Sequence, residues 1–274
     1  MINDPPPRRT IRFAHASQGE TVDGSALRFP HPITRDWAWG GATGEGVRVC
    51  VIDSGLDADH PAVAGRAERH RVVADDAGHW SVRPDDQGDA AGHGTACAGI
   101  IRSLAPDCDL VSVRVLGRGL RGNGEALLAA LEWAIEQGFP VVNLSLSTRR
   151  TVFKERLHDL ADRAYFGGTA IVSSAHNSPL DSYPWRFSSV LSVGSHDRPD
   201  PEYLEVSPAP PVEFFAAGVR VTVAWPGGGT RSVSGNSFAT PHVSGLCARI
   251  LQAHPSFHPA QLKHVLSAVA DNVR

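Results

Sequence analysis

Three residues that lie far apart in the sequence, Asp53, His93 and Ser237, are of the types that together attack a carbonyl carbon. A serine hydroxyl is a weak nucleophile at neutral pH, so a neighbouring imidazole must take its proton. A carboxylate on the other ring nitrogen fixes the tautomer and stabilises the imidazolium. The three types predict acyl transfer through a serine-bound intermediate, with Asp53 as orienting acid, His93 as base and Ser237 as nucleophile.

The segments around these residues read VCVIDSGLDADHP, GHGTACAGII and GNSFATPHVSG. Singly, an Asp after a strand or a Ser at a helix start has an ordinary structural explanation. The order Asp, His, Ser differs from that of chymotrypsin-like enzymes and of α/β-hydrolases. At these segments the chain resembles the subtilisin-like serine proteases, and the resemblance extends from about Trp37 to the C-terminus.

The resemblance implies a second donor to the oxyanion that forms during attack. In the family this donor is an asparagine side chain, and the segment IVSSAHN places Asn177 at that position. Asn236 stands where the family usually has threonine, just before the nucleophile. Its amide N–H offers an alternative donor to the threonine hydroxyl, and the sequence leaves open whether it is used.

The resemblance also implies that a peptide binds as an extended strand between two segments of the enzyme. The predicted substrate-binding residues are Gly122, Asn123, Gly124, Ser145, Leu146, Ser147 and His176. Ser147 and His176 replace glycines of the family, so we expect a narrower or more polar specificity pocket. Asp181 raises the hypothesis of selection for a basic residue; a solvated loop carboxylate is the alternative.

The elements that must position these residues alternate between strand and helix. Apolar runs predict strands at 47–52, 109–116, 139–146, 169–174 and 190–193. Helical spacing predicts helices at 94–104, 125–137, 153–166, 238–253 and 259–270, and short β runs within 199–236 predict a hairpin. This alternation predicts an α/β protein, here a three-layer subtilisin-like fold with a central, mostly parallel sheet flanked by helices.

The chain divides into an N-terminal extension, residues 1–27, and a subtilisin-like peptidase domain, residues 28–274. The extension is polar and without pattern, with prolines at 5–7. It is interpreted either as a segment that blocks the cleft or as a disordered tail. Residues 54–92 are mostly polar, and we expect them to form one long connection.

The composition of the chain limits the classes of partner that it is expected to bind. The net charge is −3 and no basic block is present, which argues against a nucleic-acid partner. No apolar run approaches the roughly 20 residues of a membrane helix, and the N-terminal segment lacks the apolar stretch of a secretory signal. We therefore expect a cytoplasmic monomer whose partner is a peptide or protein substrate.

The four cysteines, Cys50, Cys97, Cys108 and Cys247, have no zinc-type spacing and are interpreted as small buried thiols. The calcium loop that interrupts the helix after the catalytic histidine in many relatives is missing here, so no strong calcium site is expected there, and neither a metal nor a cofactor is predicted. The resemblance places Cys97 near the catalytic base, where a mercurial could inhibit.

Together these features predict a serine endopeptidase that acts through an acyl-enzyme. The pocket departures and the missing secretion signal favour selective intracellular processing, one version being leader-peptide removal in peptide maturation. Two alternatives stay open. The chain is an inactive protease fold that binds peptides, or it transfers the acyl group to amines with the same triad.

Overall fold

The computed structural model describes residues 9–11, 20–22, 29–63 and 67–273. By Cα proximity the chain divides into two compact units, residues 1–33 and 34–274. In the first unit, β1 (Arg9–Ile11) pairs antiparallel with β2 (Glu20–Val22). Within the predicted N-terminal extension the structure thus describes one short pair of strands, which the sequence analysis did not predict. The rest of residues 1–27, and the question of blocking, lies outside the described residues.

The second unit is built on a nine-stranded sheet in the order β10-β11-β9-β8-β7-β3-β6-β4-β5. Its strands are β3 (Arg48–Asp53), β4 (Ala67–Ala74), β5 (Trp80–Pro84), β6 (Asp109–Arg114), β7 (Val141–Leu144), β8 (Ala170–Ser174), β9 (Leu191–His196), β10 (Glu205–Val206) and β11 (Phe214–Ala217). From β11 through to β4 every neighbouring pair is parallel, and only the outermost pairs β10–β11 and β4–β5 are antiparallel.

Six helices accompany the sheet in the described part of the unit. They are α1 (Arg35–Trp39), α2 (His93–Leu104), α3 (Gly124–Glu136), α4 (Lys154–Phe166), α5 (Asn236–Ala253) and α6 (Pro259–Ala268). Helices α3 and α4 share one apolar core with β3, β6, β7 and β8. Helix α5 packs along β7, β8 and β9 and against α2. The predicted three-layer α/β architecture is confirmed.

The central strands are near-continuous apolar runs because both of their faces are covered. Residues 49–53 of β3 and all of β7 and β8 are buried. The hairpin predicted within 199–236 is formed by β12 (Val221–Trp225) and β13 (Gly229–Val233). No helix in the described ranges has the length and apolarity that a bilayer-spanning segment needs.

The expectation of one long connection over residues 54–92 is wrong. This segment contributes β4 and β5, which extend the sheet beyond β6. Both are half-exposed strands near the sheet edge, and β4 reads AERHRVVA. Charged side chains are common on edge strands, so the apolar run by which the buried strands were recognised is absent.

Candidate active site

The proposed reactive residues gather at the carboxyl ends of the parallel strands. β3 lies between β6 and β7, so the strand order reverses there and leaves a crevice above the sheet. Asp53 is the last residue of β3, Ser145 follows β7 directly, and Asn177 lies shortly after β8. Residues separated by long stretches of sequence are thereby brought to one edge of the sheet.

Asp53 and His93 form a buried hydrogen-bonded pair. Nδ1 of His93 lies 2.8 Å and 2.9 Å from the two carboxylate oxygens of Asp53. Burial alone would lower the pKa of His93, but the Asp53 carboxylate favours the imidazolium, and the pKa rises well above the ordinary value of 6.5. With Nδ1 bound to the carboxylate, Nε2 is left as the atom that can take a proton.

His93 is the first residue of α2, and two glycines allow its surroundings to pack closely. Gly92 has φ of 85°, and a Cβ on it would lie 2.6 Å from the Trp225 ring. A Cβ on Gly94 would lie 2.1 Å from the carbonyl oxygen of Gly55. Larger residues at these positions would displace the helix start that carries the imidazole.

Asp89, which the sequence analysis did not single out, holds this helix start. One carboxylate oxygen accepts from the N–H groups of Ala91 and Gly92 and from the hydroxyl of Ser54, at 2.7–3.0 Å. The other accepts from the N–H and hydroxyl of Thr95, at 2.8 and 2.6 Å. Because Ser54 follows Asp53 directly, Asp89 links the end of β3 to the start of α2.

Ser237 lies in the first turn of α5, where backbone N–H groups lack intrahelical acceptors and create a partial positive charge. Its carbonyl oxygen accepts from the Ser145 hydroxyl at 2.8 Å. Ser145 in turn accepts from the side-chain amide of Asn143, and Asn143 accepts from the hydroxyl of Ser244, also in α5. This buried chain of polar groups fixes the nucleophile-bearing turn against β7.

Asn177 and Ser237 face the same small space. A Cβ placed on Gly235 would lie 3.3 Å from Nδ2 of Asn177 and 3.4 Å from Oγ of Ser237. Oδ1 of Asn177 accepts from the backbone N–H of Asn236 at 2.8 Å. Nδ2 therefore remains to donate toward this space, which suits a developing oxyanion.

The alternative in which Asn236 donates its own amide to the oxyanion is not supported. Its Nδ2 donates to the carbonyl oxygens of Ala175 and His176, at 3.2 and 3.3 Å, and its Oδ1 accepts from Ser195. The residue instead ties the start of α5 to the segment after β8. Its role is to position the backbone beside Asn177.

All of the predicted site residues except Asp53, which lies behind the His93 ring, line one cleft of about 430 Å³. Its lining comprises His93, Val115, Leu116, Leu120, Gly122, Asn123, Gly124, Leu127, Ser145, Leu146, Ser147, Thr148, Ser174, Ala175, His176, Asn177 and Ser237. Between the two described side chains His93 and Ser237 no hydrogen bond is formed. In serine hydrolases without substrate this bond is often long and tightens when substrate binds.

Several predicted substrate-binding residues also have structural contacts. Oδ1 of Asn123 accepts from the N–H of Glu125 and caps α3. Leu146 packs on the core shared by α3 and α4. On Gly124, a Cβ would lie 2.0 Å from the ring of Phe153, so only glycine fits there.

Ser147 and His176 both line the cleft, and each is held by a hydrogen bond. The Ser147 hydroxyl donates to Oγ of Ser182 at 2.9 Å, and Ser182, fully buried, also accepts from Nε1 of Trp185 at 2.8 Å. Ser182 and Trp185 do not line the cleft, so Ser147 stands between them and the cleft. Nδ1 of His176 accepts from the N–H of Ser178, which holds the ring beside Asn177.

The lining of the cleft does not support the hypothesis that Asp181 selects a basic substrate residue. Asp181 is exposed, forms an ion pair with Arg186 and lines an adjoining cavity that shares Ala175, His176 and Asn177 with the cleft. Its carboxylate is neutralised by a neighbour and is absent from the lining of the cleft that contains Ser237. Next to Asp181, the buried Ser182 accepts the hydrogen bond of Ser147 and thereby supports the cleft from behind. The sequence alone did not show that Ser182 is buried while Asp181 is exposed.

Cys97 lies one helical turn after His93, with Sγ 3.8 Å from Nδ1 of His93 and 3.9 Å from Oδ2 of Asp53. Burial raises the pKa of the Cys97 thiol. In the described residues these three form a cluster of metal-ligating type, with ligand atoms within 4.8 Å. The carboxylate and the imidazole are already joined, and the thiol resists ionisation, so the chemistry fits a proton-transfer pair better than a metal site. All four cysteines are free and buried, as predicted.

The comparisons with known proteins agree with this geometry. The family model described as "Subtilase family" (Peptidase_S8) matches residues 44–273. The chain is 32% identical over 244 residues to Subtilisin BL of Lederbergia lenta, covering 85% of this chain and 86% of that protein. It is 31% identical over 251 residues to Subtilisin DY of Bacillus licheniformis, with the same coverage of 85% and 86%.

Among solved structures, the chain is similar to a cold adapted subtilisin-like serine proteinase. The TM-score is 0.68 at 28% identity, and the match covers 84% of this chain and 86% of that one. Family model, curated relatives and solved structure thus agree over most of the length. The chain belongs to the subtilase family and is a subtilisin-type serine endopeptidase.

Proposed function

We propose that this endopeptidase acts through Asp53, His93 and Ser237 and that it processes a restricted set of peptides rather than digesting proteins in bulk. One observation carries the assignment of roles. His93, held by Asp53 through Nδ1, shares one cleft with Ser237 and Asn177. The proposed acid, base, nucleophile and oxyanion donor therefore surround one position at which the carbonyl group of a peptide bond can bind.

The chemical steps follow from these positions. Nε2 of His93 takes the proton of the Ser237 hydroxyl as Oγ attacks the carbonyl carbon of the peptide bond. The resulting oxyanion receives hydrogen bonds from Nδ2 of Asn177 and the N–H of Ser237. His93 then donates its proton to the leaving amine, and the acyl-enzyme forms. Water, activated by the same imidazole, releases the acyl group.

Selectivity is supported by the two residues of the cleft lining, Ser147 and His176, that stand where the family has glycines. The Ser147–Ser182 hydrogen bond and the fixed His176 ring leave little room for a large side chain next to the reacting carbonyl. We infer a preference for small residues before the scissile bond. Removal of a leader peptide during peptide maturation is one process that needs such restricted cleavage. The buried, unpaired thiols support the further proposal of a reducing compartment.

A fluorophosphonate probe tests the assignment, because it labels only a serine that is activated by its base. We expect label on Ser237 of the intact protein and none on the Ser237→Ala variant. Absence of label on the wild type would favour the alternative of an inactive peptide-binding fold. Mass spectrometry of the products formed with and without an added acceptor peptide separates hydrolysis from acyl transfer, because a hydrolase releases mainly the free acid and a transferase mainly the ligated peptide.

The same mass-spectrometric experiment defines the substrate. A peptide pool prepared from a proteome, incubated with the full chain, reveals which residues precede the cleaved bonds. We expect Gly, Ala or Ser at that position. Frequent cleavage after Phe, Leu or Arg would contradict the proposed selectivity while leaving the endopeptidase activity intact.

A further inference from the structure

A second cavity, of about 780 Å³, lies outside the proposed active site. It shares no lining residue with the cleft, and its volume falls within the range of small-ligand sites, about 300–1,000 Å³. We name it the β12 cavity, because four consecutive residues of β12 line it. The lining consists of Ala62, Gly99, Ile100, Ser103, Asp197, Arg198, Pro199, Pro201, Ala217, Val219, Arg220, Val221, Thr222, Val223, Ala224, Thr230 and His242.

His242 presents a polar atom to this cavity from the protein interior. The residue is only 3% exposed, yet it belongs to the lining. Its Nδ1 lies 2.9 Å from the carbonyl oxygen of Phe238, so Nδ1 carries a proton and donates it. Burial lowers the pKa of His242 to about 4, so the ring is neutral and Nε2 has a lone pair. Within the described ranges no group donates to Nε2, which is therefore left to accept from a ligand.

Two arginines of the lining have no acidic partner. Arg198 follows β9 and Arg220 precedes β12; both are exposed, and in the part of the chain that the structure describes neither forms an ion pair. The lining contains one acidic residue, Asp197, so positive charges outnumber negative ones. Arg220 has a φ of +55°, a strained conformation of a kind that tends to occur at binding sites. These charges favour a carboxylate, which a guanidinium binds through two parallel hydrogen bonds.

The strand β12 supplies a third feature. Among the described strands β12 pairs only with β13, so the backbone N–H and C=O groups on its other edge have no strand partner. An extended peptide can add to such an edge through main-chain hydrogen bonds. Val221 and Val223 of this strand pack with Ile100 of α2 in one apolar cluster that borders the cavity. The cavity therefore offers contacts both to the backbone and to apolar side chains of a short peptide.

We propose that the β12 cavity binds the C-terminal end of a peptide, with the carboxylate at Arg198 and Arg220 and a backbone N–H donating to Nε2 of His242. Each bond that an endopeptidase hydrolyses creates one such terminus, so released peptides are one source of this ligand. Small free carboxylic acids are the other source. Because the cavity is separate from the cleft, binding there does not require the proposed triad.

The test observes His242 directly, by NMR of the full chain containing ¹⁵N-labelled histidine. All proteins carry Ser237→Ala, so that no probe is hydrolysed. The probes are N-acetyl-Ala-Ala, its C-terminal amide, and acetate. The Nε2 resonance of His242 is identified by its loss in His242→Asn, whose side-chain amide can still donate to the carbonyl of Phe238.

Two surface variants and a matched control complete the set. Arg198→Gln removes one cation, and Arg220→Asn removes the other with a residue that tolerates the positive φ. Arg83→Gln removes an exposed arginine of β5 that does not line the cavity. The two surface variants also identify the resonance by its weakened response, which keeps the test valid if His242→Asn does not fold.

We expect N-acetyl-Ala-Ala to shift the Nε2 resonance of His242 saturably. Each variant at Arg198 or Arg220 should weaken binding about tenfold, the size expected for the loss of a hydrogen bond to a charged group, and Arg83→Gln should not change it. The amide, which lacks the carboxylate, should bind more than tenfold more weakly than the acid.

Three results would overturn the inference: no saturable shift at His242, equal binding of acid and amide, or an equal loss in Arg83→Gln. Acetate that binds as tightly as N-acetyl-Ala-Ala would assign the cavity to small carboxylic acids and overturn the assignment to peptides. The measurement needs no catalysis, so its result is independent of the fluorophosphonate test of the proposed function.

Discussion

The backbone N–H of Asn236 donates to Oδ1 of Asn177 at 2.8 Å, so the residue before the proposed nucleophile orients the proposed oxyanion donor. The amide of Asn177 is thereby turned with its N–H groups toward the space beside the Ser237 hydroxyl. Two elements that are distant in sequence, the segment after β8 and the start of α5, are set relative to each other by this hydrogen bond and by those from the Asn236 side chain to the carbonyls of Ala175 and His176.

This relationship predicts the effect of removing the donor. Asn177→Ala should lower kcat by roughly 10²–10³-fold and leave KM nearly unchanged, because the oxyanion exists only in the transition state. That magnitude comes from subtilisin, a relative of this chain, and is transferred from it. Steady-state kinetics on an internally quenched peptide measure it. A rise in KM at constant kcat would instead place Asn177 in ground-state binding.

The pH dependence of activity should reflect the raised pKa of His93. Below its pKa the imidazole is protonated and cannot take the proton of Ser237, so kcat/KM rises with pH through a value above 6.5. In Asp53→Asn burial dominates and lowers the pKa, so the acidic limb should move to lower pH, while kcat falls by about 10⁴-fold. If the acidic limb of the pH profile lies at the same pH in Asp53→Asn as in the wild type, the electrostatic coupling between Asp53 and His93 is contradicted.

Asp89→Asn should weaken catalysis without removing a reacting group. The carboxylate accepts five hydrogen bonds, and an amide, with one oxygen and an NH₂ group, cannot accept all of them. We expect kcat/KM to fall between about ten- and a hundredfold as His93 loses its position, with the acidic limb shifted toward lower pH. The control is Asp86→Asn, an exposed neighbour. Lower thermal stability with an unchanged pH profile would indicate a purely structural role for Asp89.

Ser147→Gly should widen the cleft, because the Ser147 side chain separates the cleft from Ser182 and Trp185. Peptides with Phe before the scissile bond should gain in kcat/KM by about tenfold relative to peptides with Ala, which corresponds to about 1.4 kcal/mol of added apolar burial. Ser182→Ala, which keeps the Ser147 side chain, should change the ratio less. An unaltered Phe/Ala ratio in Ser147→Gly would show that another group limits the pocket.

Treatment with EDTA should leave the thermal midpoint unchanged. Helix α2 runs without interruption from His93 to Leu104, so the inserted loop that carries calcium in many relatives is absent from this helix. The measurement is a melting curve with and without chelator, repeated after calcium is added back. A fall of several degrees that calcium reverses would reveal a site that the sequence did not predict.

Much of the architecture could be predicted from the sequence because the central strands are buried on both faces. VRVCVI and FPVVNLSL are dense apolar runs, and the strands β3 and β7 were found within them. The strands β4 and β5 escaped prediction because an edge strand with exposed charges carries little apolar contrast. The apolar pattern of a strand depends on how deeply the strand is buried, and the strands near the edge of a sheet are the least buried.

The residues of the candidate site likewise fall into those that the sequence identified and those that only the structure revealed. The proposed triad was accessible to sequence analysis because each residue lies in a distinctive segment. Asp89, by contrast, is one acidic residue in a polar loop, and its five hydrogen bonds exist only after β3 and α2 meet. Tertiary contacts, and not its residue type, give Asp89 its proposed importance.

The hydrogen bond from the Ser145 hydroxyl to the carbonyl of Ser237 closes a loop of 92 residues. Until α5 docks onto β7, the proposed nucleophile Ser237 lacks this hydrogen bond, and the proposed oxyanion donor Asn177 lacks the N–H of Asn236 that orients it. A chain on the ribosome in which α5 has not yet been synthesised contains Asp53 and His93 but lacks Ser237, the residue that they are proposed to activate. The proposed site is therefore complete only when α5 has been synthesised and has docked onto β7.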